Sequence, residues 1–311
     1  MNQRFKEFAE RHGYVAKFHG SMGNTKCQFG NCGFPAVTTC YGALKGDCEC
    51  LHDCYAFLQE KQYPEKMKAD WENLLLYLED PQKFKEAVIK FITENDLKDW
   101  RWFESGDAPD KGFFFLMKEI REELLAMGYD VKFYAYTKQY VIWDFIEEIP
   151  VWSWDGIKLV LSEWGSFKVS EELRKYYRVF KVVSIFEIDD VEAEGYVSCS
   201  GNCSTCRICA DKDKDFNVYS VKHGSAAVFP IPDEYRKATE KVDPKTSGFV
   251  KFGGKTVGGL RDAYCRMFGI KGYEERIAAL KKVWRMIKAE KILVYKNGFI
   301  LQGNKVNEKV A

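Results

Sequence analysis

Trp100-Arg101-Trp102-Phe103-Glu104-Ser105-Gly106-Asp107 reads as a short aromatic strand running into a polar turn. The pattern recurs downstream. Val131-Lys132-Phe133-Tyr134-Ala135-Tyr136 ends in Thr137-Lys138, and Gly156-Ile157-Lys158-Leu159-Val160-Leu161 ends in Ser162-Glu163. Val179 to Ile188 reads as one more strand. Helical patterns lie between. Asp80-Pro81 supplies an N-cap and a first-turn proline ahead of Phe84, Val88, Phe91 and Ile92 at helical spacing. Leu116, Ile120, Leu124 and Met127 share a face that stops at Gly128. Further helices are expected over 139–148 and 170–177. Such strand–helix units predict a parallel sheet with crossover helices: a full or partial (β/α) barrel, with an open doubly wound sheet as the alternative. Chemistry in these folds collects at the carboxyl ends of strands, so the polar ends mark where a site is expected.

The 311 residues are 46% hydrophobic and 15% aromatic, enough for a substantial core without staples. No uncharged apolar run is long enough to cross a membrane. The segment Met1-Asn2-Gln3-Arg4-Phe5-Lys6-Glu7 lacks the apolar core of a secretory signal, so a cytoplasmic, reducing setting is expected. The net charge of +1 hides an asymmetry: residues 1–235 carry 29 Lys+Arg against 39 Asp+Glu, and residues 236–296 carry 16 against 6. The chain is therefore read as a cysteine-rich domain over 1–235 and a basic extension over 236–311. The basic segment either meets nucleic acid or docks on acidic protein surface.

That extension predicts a helix over 273–290, with Ile277, Leu280, Trp284 and Ile287 on one face. Lys296-Asn297-Gly298 between two apolar runs predicts a hairpin. Helix plus hairpin suits a winged-helix-like module or a structural cap. Lys251-Phe252-Gly253-Gly254-Lys255-Thr256 lacks phosphate-loop spacing and reads as an ordinary loop.

Ten of the eleven cysteines fall in two groups. The first holds Cys27, Cys32, Cys40, Cys48, Cys50 and Cys54; the second is Cys199-x3-Cys203-x2-Cys206-x2-Cys209. In a reducing compartment such clusters read as metal ligands or redox groups rather than disulfides. The second group has four ligands and no vacancy, which suits a closed zinc site or an auxiliary 4Fe–4S cluster. Iron–sulfur, zinc and redox thiols all remain open for the first. Cys27 and Cys32 either add a ligand or lie in a covering loop, and Cys265 reads as a small buried residue. His52 and His223 are lesser candidates, and Glu104 and Glu163 have strand-end positions suited to acid–base work.

The pattern Cys40-x-Gly42-Ala43, then Cys50-x3-Cys54-Tyr55-Ala56, Ser105-Gly106-Asp107 and Tyr136-Thr137 resembles a phage-encoded family, gene product eighty-eight, described as radical-S-adenosylmethionine-like. The second cysteine group followed by Lys222-His223 extends the resemblance over about residues 25–225. It implies a partial barrel with a 4Fe–4S cluster on Cys40, Cys50 and Cys54, with Cys48 as the rival ligand. It also implies S-adenosylmethionine at the open iron, an external electron donor, and a radical abstracting hydrogen from an unidentified substrate. Ser105, Gly106 and Asp107 would contact the cofactor's amino group, Asp107 through a charge-assisted bond. The Cys-x3-Cys-x2-Cys spacing of those enzymes is absent, since Phe57 stands where a third ligand would fall. The alternative is a metal-stabilised nucleic-acid-binding protein without catalysis.

Overall fold

The computed structural model describes residues 3–24, 27–45, 50, 54–164, 167–184, 187–211, 216–221, 231–236, 249–252, 256–295 and 298–302. Two compact units emerge, one of residues 1–182 with 195–220, the other of 183–194 with 221–311.

In the first unit, β1 (Gly30–Asn31), β2 (Asp99–Trp102), β3 (Lys132–Thr137), β4 (Ile157–Glu163), β5 (Arg178–Val183), β7 (Val218–Val221) and β6 (Val197–Ser198) form one parallel sheet, paired in that order. Helices α1 (Gln3–His12), α2 (Tyr41–Leu44), α3 (Tyr55–Gln62), α4 (Pro64–Glu79), α5 (Pro81–Glu94), α6 (Lys111–Ala126) and α7 (Glu171–Arg174) precede or connect the strands. A doubly wound sheet reverses its strand order and carries helices on both faces. Here β1 to β5 follow without reversal, and the order departs from the sequence at the far edge alone, where β7 lies between β5 and β6. Phe91 of α5 packs edge-on to Trp100, and Phe113 of α6 packs on Trp102, so both helices cover one face. That is singly wound, barrel-like construction. Among the described residues no pairing joins β1 to β6, so β1 and β6 are the two edges of the sheet.

Local sequence explains the framing helices. Asp80 accepts the Lys83 N–H at 2.9 Å to start α5, and Asp110 accepts the Phe113 N–H at 3.1 Å to start α6. Trp100, Trp102, Phe84, Phe113 and Phe133 are fully buried between helices and sheet. Each such ring is worth about 3–5 kcal/mol against alanine.

Three expectations are corrected. The helix expected over 139–148 is a 3₁₀ turn, Gln139–Val141, because the Gln139 side chain turns inward. The helix expected over 170–177 is the single turn α7. The strand expected to reach Ile188 ends at Val183, and Ile188 opens α8 (Ile188–Ala193).

The second unit holds α8, α10 (Val257–Met267), α11 (Tyr273–Lys288) and the antiparallel sheet β8 (Val250–Lys251), β10 (Gly298–Leu301), β9 (Ile292–Tyr295). α11 buries Leu280, Trp284 and Ile287, and Tyr235 packs edge-on to Trp284. The expected hairpin is present as β9–β10, with residues 296–297 outside the described residues. Thr256 caps α10 by accepting the Gly259 N–H at 3.0 Å, and Cys265 is fully buried. The basic face of α11 is partly neutralised within the unit. Lys281 pairs with Glu192, Lys288 with Asp189, and Arg285 with both.

Candidate functional site

Three loops leave the carboxyl ends of β1, β2 and β3, and buried polar side chains bind them into one rim. Asp107 Oδ1 accepts the Thr137 hydroxyl at 2.7 Å and the Ala108 N–H at 2.8 Å, while Oδ2 accepts the Lys138 N–H at 2.8 Å. Gln139, fully buried, donates to the carbonyls of Thr39 (3.0 Å) and Ala108 (2.7 Å) and accepts the Gly42 N–H at 2.8 Å. Glu60 of α3 accepts the Ala36 N–H at 2.6 Å and the Ser105 hydroxyl at 2.9 Å. Thr39 accepts the Asp107 N–H at 3.0 Å.

Two glycines are obligatory. A Cβ on Gly42 would lie 2.1 Å from the Lys138 carbonyl oxygen, and one on Gly106, at φ +71°, would lie 2.5 Å from that of Phe34. Val37 and Phe103 hold positive φ (66° and 56°) without being glycine. Strain of this kind costs about 1–3 kcal/mol per residue and gathers at functional sites.

On this rim sit the first-group thiols. Cys40 directly precedes α2, and Cys54 caps α3, its sulfur accepting the Phe57 N–H at 3.5 Å. The two lie within electrostatic reach of one another. Burial pushes both thiols up; Asp107 adds to the effect at Cys40, whereas the Phe57 N–H opposes it at Cys54. Lys138, buried, donates to Ser162 at 2.9 Å and is the cation facing both sulfurs. Cys50 is half-buried, while Cys48 and His52 lie outside the described residues. Cys32 is buried beneath the rim, beside Lys66 and Asp70.

The second group lies elsewhere. Arg101, Tyr134, Tyr136 and Lys158 point to the sheet face opposite α5 and α6, and the segment 199–211 covers them. Arg207 pairs with Asp99, the first residue of β2, at 2.5 and 3.0 Å. Lys158, second in β4, donates to the carbonyls of Ile208 (2.9 Å) and Asp211 (2.6 Å). The thiols therefore rest on this sheet face, with Cys209 beside Tyr136 of β3 and Cys199 directly after β6. Cys199, Cys203, Cys206 and Cys209 line one concavity with Phe29 and Tyr136. Burial raises Cys199, and raises Cys209 to about 11 against the opposing Tyr136 hydroxyl.

Several expected site residues have other work. Asp107 is committed to three internal donors. Glu104 accepts Lys66 at 2.6 Å, and Lys66 also reaches Asp70 at 3.1 Å. Glu163 is buried and accepts Arg174 at 3.0 and 3.1 Å together with the Val169 N–H. Lys222 and His223 lie outside the described residues. Glu60, Thr39 and Gln139 were missed as rim residues; the one local signal was Gln139, two residues past the Tyr136-Thr137 match.

Among the described residues, no three His, Cys, Asp or Glu side chains stand close enough to hold a single metal ion. One tetrahedral zinc draws four sulfurs to about 3.8 Å from each other, by its 2.3 Å bonds. A cluster binds each thiolate to a different iron and spreads them further. The donor chemistry fits soft metals at both places: buried thiols are grouped, and a bound cation would supply the charge that ionises them.

The fold and this rim define a singly wound α/β protein with thiols at the carboxyl ends of a parallel sheet. Residues 9–153 match the family model of gene product 88. The match covers the rim, Cys40 to Gln139, and ends before the second cysteine group, short of the extent suggested by the sequence pattern. No curated protein and no solved structure matches the chain. Among the described residues, no helix is long and apolar enough to cross a membrane.

Proposed function

We propose that the chain is an iron–sulfur protein of radical-S-adenosylmethionine-like architecture, with an open cluster at the rim on Cys40, Cys50 and Cys54 and a closed thiolate site on Cys199, Cys203, Cys206 and Cys209. One observation carries this reading: Cys40 and Cys54 sit on adjoining loops at the carboxyl end of a singly wound parallel sheet, locked together by Asp107, Gln139 and Glu60. When bound, such a cluster supplies the electron that cleaves the sulfonium of S-adenosylmethionine.

The chain's own residues do the positioning. Gln139 fixes the backbone of Thr39, beside Cys40, against the loop after β2. Cys54 at the start of α3 directs its sulfur toward the helix amides, which favour a thiolate. Lys138 places a cation beside both sulfurs. Asp107 supports this geometry as a clamp between the β2 and β3 loops, rather than as the sole acceptor for a cofactor ammonium. Reduced, iron-loaded protein should convert S-adenosylmethionine to 5′-deoxyadenosine, and Cys40→Ser should abolish the conversion. A loaded, reduced sample that leaves S-adenosylmethionine intact would confine the likeness to the fold.

A further inference from the structure

Cys27 belongs to the first group by sequence but lies with the second in space. A tight turn places it: Gly23 holds φ +83°, and Asn24 and Cys27 exchange backbone hydrogen bonds of 2.8 and 3.1 Å. Cys27 is buried in a cluster with Phe29, Tyr134 and Ala210, and Cys203 packs against that cluster. Its sulfur shares a 3.3 Å hydrogen bond with the Tyr134 hydroxyl and meets the Cys203 thiol in a side-chain hydrogen bond. The next residue ties the segment to α9 (Cys203–Cys206), the Gln28 N–H donating to the Ser204 hydroxyl at 3.0 Å.

Arg101 is the second observation. Its guanidinium projects from β2 onto the same face, 5.5 Å from the Tyr136 ring centroid. Its Nε is buried with no hydrogen-bond partner, and among the described residues no ion pair is formed with it, although the Glu104 charge reaches it. Both Cys27 and Cys203 feel its charge. A buried cation without a direct ion pair is costly. Four thiolates outweigh one zinc ion by two charges, so a closed thiolate centre here is the anion that Arg101 lacks.

Resting on the metal reading above, we infer that Cys27 is a ligand of the second site, which then draws on five thiols for four positions and has Arg101 as its buried counter-charge. One of Cys199, Cys203, Cys206 and Cys209 is consequently dispensable for metal binding. The assignment joins the segment before β1 to the segment after β6, the two edges that no strand pairing joins.

The test uses the full chain, purified anaerobically, with Cys40→Ser and Cys54→Ser as the parent so that only the second site holds metal. Iron, zinc and sulfide per chain and the absorption spectrum are measured. Adding Cys27→Ser should lower bound metal at least tenfold, whereas one of the four single serine variants at Cys199, Cys203, Cys206 and Cys209 should keep it. Full metal and an unchanged spectrum in the Cys27→Ser chain would overturn the assignment and leave the four-cysteine site standing. A parent that binds no metal would overturn the site itself. Should Cys27→Ser fail to fold, alkylation of the parent decides: Cys27 should be protected in loaded protein and labelled with Cys203 after metal removal. Labelling of Cys27 in the loaded chain, or a Cys27–Cys203 disulfide in the anaerobic protein, would also overturn it.

Discussion

The two thiol groups occupy different settings on one sheet, a rim of loops and a sheet face, and are built by opposite means. The rim hangs on loops held by side chains, Asp107, Gln139 and Glu60, so the backbone around Cys40 is fixed by the fold itself. The other site is a short segment laid on a sheet face. Arg207, Lys158 and Gln28 anchor its edges, and its centre consists of the thiols themselves. A preassembled framework can leave a coordination position open, whereas a segment organised around its ligands needs a filled coordination shell. Chemistry is thus expected at the rim and stability at the sheet face.

The sharpest way to break that comparison is to remove each site in turn. Cys203→Ser with Cys209→Ser should lower stability by more than about 5 kcal/mol, since structural thiolate sites carry much of their binding free energy into folding. Cys40→Ser with Cys54→Ser should cost about 1 kcal/mol while abolishing rim metal. Thermal unfolding followed by circular dichroism reads both, and equal losses would erase the distinction.

Within the rim, Gln139→Ala should cost about 3 kcal/mol in urea unfolding, because it orphans the Thr39 and Ala108 carbonyls and the Gly42 N–H. Asp107→Asn should cost about 2 kcal/mol by disturbing three donors matched to a carboxylate. Unchanged stability with lost S-adenosylmethionine binding would instead return Asp107 to the cofactor.

The smallest effect is expected in the second unit. Reversing Lys281, Lys282 and Lys288 to glutamate breaks half-exposed ion pairs with Asp189 and Glu192, worth less than about 1 kcal/mol. Salt-sensitive DNA binding by the parent chain that disappears in this variant would move the functional centre to the basic unit.

Strand–helix alternation made the sheet legible because β2, β3 and β4 are apolar strands with polar ends. The two-residue β1 is too short to leave a pattern. α4 hides because it buries Asp70, Glu72 and Asn73 in one run with Trp71, Leu74, Leu75, Leu76 and Tyr77, which blurs any apolar face at helical spacing. Those polar positions become intelligible only through distant partners: Glu72 meets His19 at 2.6 Å, and Asn73 bonds the backbone of His19 and Gly33. Cysteine spacing located both thiol groups. It could not show that Cys27 crosses from one to the other, because that contact spans 176 positions and depends on how the chain folds back before β1. The rim's lacing was likewise invisible, since Glu60, Thr39 and Gln139 converge from three separate loops.

Metal analysis of the full chain tests the central claim most directly. Protein purified without oxygen should be brown and hold four or more irons with matching sulfide, and Cys40→Ser with Cys54→Ser should remove the rim's share. A colourless chain carrying only stoichiometric zinc, unchanged by those substitutions, would contradict it.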